Sequence, residues 1–128
     1  MALTTTLSAA IQVQDAVTNN LLLNKTLASL VFSGSVSTVA ESVSVGTGGG
    51  LTVALPASPA QVVYVRNTHA TQTLLVTWTP TGGASAVVLT LQPGSYILFG
   101  EINSTSGITA LNLVGSLAGT TAEYVLVG

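Results

Sequence analysis

The stretch RNTHATQTLLVTWTP, residues 66–80, gathers the chain's single arginine, single histidine and single tryptophan. Each type can do chemistry. An imidazole exchanges protons near neutral pH, a guanidinium grips carboxylates, and an indole face stacks on sugars or cations. The remaining inventory is small: Asp15, Glu41, Glu101, Glu123, Lys25 and three tyrosines. No short spacing forces two carboxylates together, as a glycosidase pair requires. No Gly-x-Ser-x-Gly elbow prepares a serine for His69, and a metal site at His69 lacks a second His or any Cys. GTGGGLT, residues 46–52, has the glycines of a phosphate loop without the Lys-Ser/Thr that follows them in one, and reads as a hairpin turn. NKT at 24–26 and NST at 103–105 match the glycosylation pattern, which matters only in a secreted chain. The expectation is a chain that is not an enzyme, with no catalytic residue, no metal and no cofactor.

The elements around these residues suggest a mechanical reading. QVVYVRN and TLLVTWTP alternate with period two, so they read as strands, and NTHATQ reads as the turn between them. Arg66 and Trp78 are then expected on adjacent strands of one hairpin, with His69 in the turn. Trp78 runs in phase with Leu74 and Val76 and is expected to face the core; an exposed sugar-stacking platform is the alternative. Arg66 must reach solvent, a carboxylate or a partner's carbonyls, with Glu101 or Glu41 as candidate mates. His69 reads as a solvated turn residue or a contact at an interface.

Composition narrows the class further. The 128 residues fit one domain and can bury a core without staples, and there is no cysteine. Charged residues make up 5%, against about 25% in an average soluble domain. Net charge is −2 and hydrophobic residues reach 48%, the opposite of a disordered profile. Lys25 and Arg66 cannot neutralise a phosphate track, so nucleic acid is not an expected partner. No apolar run approaches the ~18 residues of a membrane helix, so no membrane partner is expected either. MALTTTLSAAIQVQD has no Lys or Arg before an apolar stretch and does not read as a secretory signal, which implies synthesis in a cytoplasm. A nearly uncharged folded chain tends to associate, so a subunit covered by neighbours is expected.

Residues 3–13 alternate, with Leu3, Thr5, Leu7, Ala9, Ile11 and Val13 on one side. DAVTNN, residues 15–20, reads as a turn. LLLNKTLASLVFSG, residues 21–34, fits a strand better than a helix, given Gly34 and its surroundings. Beyond it, strands are expected near 38–46, 51–55, 61–67, 73–79, 85–91, 95–101, 107–115 and 121–127, separated by Gly-, Pro-, Asn- and Ser-containing turns. The fold class is all-β: about eight to ten short strands in a sandwich or barrel at 36–128, preceded by an N-terminal arm or added edge strands at 1–35. Such an arm suits strand exchange between subunits.

VVYVRNTHATQTLLVTWTPTGG, LQPGSYILFGE and GITALNLVGSLAGTTAEYVLVG together resemble the small Thr/Val/Gly-rich structural proteins of tailed bacteriophage virions, above all capsid decoration (cement) proteins. The resemblance covers about residues 36–128 and rests on style and segment order. It implies a jelly-roll-like sandwich, homo-oligomers with a trimer first, and a major capsid protein or other virion protein as partner. A tail, baseplate or fibre component and a glycan-binding sandwich are the alternatives. Contact with another chain or the capsid is expected at Leu3, Thr5, Leu7, Ile11, Val13, Arg66 and His69.

Overall fold

The computed structural model describes residues 4–33, 37–56, 59–82, 85–101 and 105–128. Leu3 and the Glu41 side chain lie outside the described residues. The described elements are all strands: β1 (Thr4–Leu7), β2 (Ala10–Gln14), β3 (Leu21–Thr26), β4 (Leu30–Ser33), β5 (Ser37–Val45), β6 (Leu51–Thr52), β7 (Val62–Asn67), β8 (Leu74–Pro80), β9 (Val87–Leu91), β10 (Tyr96–Gly100), β11 (Ile108–Gly115) and β12 (Thr120–Val127).

Strands β5 to β12 make two four-stranded antiparallel sheets, ordered β10-β7-β12-β5 and β6-β11-β8-β9. β8 and β9 are neighbours in one sheet, while every other consecutive pair in this set lies in opposite sheets. This is the strand order of a jelly roll, in which the chain winds around two facing sheets. The period-two pattern explains the packing. Val63 and Val65 of β7, Leu74 and Val76 of β8, Leu111 and Leu113 of β11, and Ala122, Tyr124 and Leu126 of β12 all point inward and are buried. Each fully buried Leu or Val side chain contributes roughly 1.5–3 kcal/mol.

Two expected hairpins turn out to be crossings between sheets. β7 pairs with β10 and β12, whereas β8 pairs with β9 and β11. Arg66 and Trp78 therefore do not share a hairpin. The glycine turn at 46–50 likewise carries β5 to β6, which pairs with β11. A short polar separator looks the same in sequence whether the chain folds back beside itself or steps across to the facing sheet. Gly50 shows what the crossing demands: its φ is 67°, and a Cβ there would collide with the Leu113 carbonyl oxygen.

Asn67 ties the crossing at the end of β7. It is fully buried. Its Nδ2 donates to the carbonyls of Gln72 (2.7 Å) and Leu91 (3.1 Å), and its Oδ1 accepts from the His69 N–H (3.0 Å). Its backbone N–H donates to Ser95 O, and its carbonyl accepts from Gly94 N–H. One residue thus joins the 68–73 link and the end of β9 through its side chain and the 92–95 link through its backbone.

The first four strands form a separate two-stranded ribbon. β1 pairs with β4 and β2 with β3, with Leu7 opposite Leu30 and Ile11 opposite Lys25. The register changes by one residue between the two halves, where Leu27 N–H donates to Ala9 O. At the tip, Asp15 Oδ1 accepts from the N–H groups of Thr18 (2.7 Å) and Val17 (2.8 Å). Those backbone bonds, Thr18's first, hold the carboxyl below its ordinary value of 3.8.

Asn67→Ala strips three partners from a closed site and is expected to cost about 2–4 kcal/mol. For a sandwich of this size that is a drop in Tm of about 7–15 °C. Thermal unfolding followed by circular dichroism measures it, and a drop of only a degree or two would show that the amide is not the tie described.

Candidate functional site

The crowded stretch at 66–80 separates in space. Arg66 lies on the outer face of the β10-β7-β12-β5 sheet, opposite Tyr96 on one side and Glu123 on the other. Trp78 sits on the other sheet, half-buried, with its inner side against the core. It borders a cleft with Pro80, Phe99, Glu101 and Ile108 at the end of the sandwich. His69 is in the 68–73 link, where its Nδ1 accepts the N–H groups of Gln72 (3.0 Å) and Thr71 (3.2 Å). That role as a double acceptor puts the neutral ring's proton on Nε2. His69 acts as a brace for its own turn beside Asn67.

Arg66 does find a carboxylate, Glu123 rather than Glu101. Its Nη1 lies 3.7 Å from Glu123 Oε1, with both side chains partly in solvent. A pair of this kind is worth under about 1 kcal/mol. The shorter bond is from the Tyr64 hydroxyl, which donates to the same Oε1 at 2.6 Å. Tyr64 also meets Tyr96, with ring centroids 6.0 Å apart at 47°. Burial first, then the bond to Glu123 and its negative charge, raises the Tyr64 hydroxyl above its ordinary value of 10.0. Among the described residues, no three His, Cys, Asp or Glu side chains gather as a metal-binding group.

Cross-strand register sorts the outer face of this sheet into rows. Tyr96, Arg66 and Glu123 make the polar row. Next comes Leu98, Tyr64, Val125 and Val39, an apolar row across all four strands. The row after it contains Gly100, Val62 and Val127. The base of the ribbon covers that last row: Phe32, buried, packs with Val62 and Val127, and Leu7 and Leu30 join them. Gly100 makes the seat, since a Cβ there would lie 2.5 Å from Leu7 Cδ2 and 3.2 Å from Leu30 Cδ1.

The side of the ribbon that seats Leu7 and Leu30 continues outward. Paired residues of antiparallel strands share a face. Ile11, Val13, Leu23 and the Lys25 stem therefore form one apolar stripe, and Ala10, Gln12, Asn24 and Thr26 lie on the other face, where Leu22 is also exposed. The stripe is uncovered: Ile11 is 52% exposed, Val13 44% and Leu23 49%. An isolated two-stranded ribbon is marginal in water. Of the residues singled out from sequence, Leu7 thus serves the ribbon's own seat, Ile11 and Val13 belong to the open stripe, Thr5 lies at the base, and Arg66 and His69 are elsewhere. Leu98, Tyr96, Val88 and Leu89 are further exposed apolar residues that sequence reasoning missed. Their exposure follows from lying on outermost strands, and no local pattern announces that.

No known protein family, curated protein or solved structure matches this chain.

The raised Tyr64 value has a defined consequence. The folded state holds the phenol proton more tightly than the unfolded chain does. The associated stability is present below pH ~10 and is lost as pH rises through the higher folded value. Tyr64→Phe is expected to flatten the alkaline loss of stability between about pH 9 and 12, measured by urea midpoints. Parallel pH profiles for the two proteins would contradict it.

Proposed function

We propose that this chain is a structural subunit of a protein shell, one that ties neighbouring subunits together through neutral β surfaces. The observation that carries the reading is the ribbon. Its apolar stripe begins on a seat built by the chain's own sandwich and runs out, uncovered, over Ile11, Val13 and Leu23. A monomer has no use for such a stripe, and a stripe with one cation cannot serve a polyanion. The resemblance to virion decoration proteins supplies the finer proposal: a homo-oligomer, a trimer first, seated on the capsid of a tailed bacteriophage after synthesis in the host cytoplasm. Catalysis is no part of the proposal.

The physics of the surface supports the reading. With charge at 5% of residues, contacts rest on apolar burial and strand pairing, which salt barely screens. Individual contacts of this kind are weak. Many copies on one shell act at high effective concentration and hold together what single contacts cannot. A second reading, a glycan-binding module, has one observation in its favour: half-exposed Trp78 beside Glu101 in the end cleft.

The comparison that tests the proposal is between shells bearing the protein and shells without it. Binding only the assembled form should raise the rupture temperature by mass action. The double variant Ile11→Asp/Val13→Asp should fold normally and lose the effect. Equal rupture temperatures with and without the wild-type protein would overturn the proposal, and retention on a glycan that Trp78→Ala abolishes would favour the second reading. Density on the tail in an image of the particle would move the subunit to a tail, baseplate or fibre.

A further inference from the structure

Building on the shell-subunit reading, we infer that the ribbon of one copy docks along the β9–β10 flank of a second copy. The sandwich has four outermost strands, and they are treated differently. On one flank lie β5 and β6, joined by the five-residue link at 46–50. β6 is only two residues long. β5 is bulged opposite Glu123, with Ser42 at φ 51°. Shortness and bulges are devices by which a sheet edge is kept from pairing with another chain. On the other flank lie β9 and β10, joined by residues 92–95. VVLTL and YILFG contain no charge and no proline, and their strand ladders show no bulge. An unguarded, apolar, straight edge is the usual template for strand addition.

The side chains of that flank are bare as well. Val87 and Leu89 pair with Trp78 and Val76 and so point to the core side, yet each remains 40% exposed. Val88 is 58% exposed, and Leu98 and Tyr96 on β10 are 39% and 62% exposed. At the other end of β10, a cleft on the ribbon's seat places Leu7 and Leu30 beside Leu98 and Phe99.

A second copy's ribbon is the occupant that fits. Pairing β9 with β9 of another copy would close the flank and leave both stripes open. Ribbon on flank lays the open stripe of one copy on the plain flank of another, covering Ile11, Val13 and Leu23 together with Val88, Leu89 and Leu98. The lengths agree: five residues in β9, five in β2 and six in β3. Lys25 is the cation of the stripe, and Glu101 directly follows β10, the carboxylate at that flank's own end. The contact joins two different surfaces, so it propagates head to tail and closes into a ring when the rotation allows.

The absence of cysteine makes the test direct. Three variants place one thiol each at exposed positions: Ile11→Cys on the stripe, Leu89→Cys on the flank and Val39→Cys on β5. Each is checked for an unchanged circular dichroism spectrum, then pairs are mixed in a glutathione redox buffer and run on a non-reducing gel. The expected result is an Ile11→Cys/Leu89→Cys disulfide at least about tenfold more abundant than Ile11→Cys/Val39→Cys, as proximity in a complex requires. Equal trapping at Leu89 and Val39, or Leu89 homodimers in excess, overturns the inference. Sedimentation of the unmodified chain separates the two levels. An oligomer without the Ile11–Leu89 product overturns this docking mode alone, whereas a chain that neither docks in this way nor raises shell rupture temperature overturns the shell-subunit reading with it.

Discussion

Burial of two aliphatic sheet faces against each other is the interaction on which the rest of this molecule depends. Val63, Val65, Leu74, Val76, Leu111, Leu113 and Leu126 are sealed between the sheets at zero to one percent exposure. With so few charges available, nothing else in the chain supplies comparable free energy. The same requirement sets the winding. A chain that keeps crossing from one sheet to the other places every long strand against a partner face, and the links at the ends then have to carry the polar work.

Asn67 shows how that polar work is done. A buried amide costs free energy unless its groups are paired, and here they are paired with backbone of the 68–73 link and of the end of β9. His69 reinforces the same corner by capping two further N–H groups. The residues that first suggested a proton-moving site thus hold a turn in shape. The opposite end of the sandwich holds the half-exposed Trp78 and the cleft around it. Nearby, the ribbon's base is seated over Gly100, Val62 and Val127.

Surface and edges complete the functional picture. The outer face of one sheet changes from a polar row through an apolar row to a row already covered by the chain's own ribbon. One flank is guarded by a bulge and a two-residue strand, and the other is left plain. The asymmetry agrees with the neutral composition and is what the proposed contact between copies draws on.

The sequence by itself determined the strands. Alternation of Val, Leu and Thr between Gly, Pro and Asn turns located each of the eight sandwich strands within a few residues, as well as the turn at 15–20, because a side-chain period of two is a local property of the backbone. That residues 4–33 fold back on themselves as a ribbon is not in that pattern, which fits an arm and added edge strands alike. It also determined the inward side of Trp78, which shares a phase with Leu74 and Val76. Only the tertiary structure decided which strands are neighbours. The 68–73 and 46–50 links read as hairpin turns and prove to be crossings, so Arg66 and Trp78 part company and Arg66 meets Glu123, 57 positions away in the chain. Pairing between strands is a long-range choice made by how whole faces bury, and no dipeptide at a turn encodes it. The same holds for the candidate site. The ribbon's alternation was legible, but its uncovered stripe and the bare β9–β10 flank exist only because of where the sheets end.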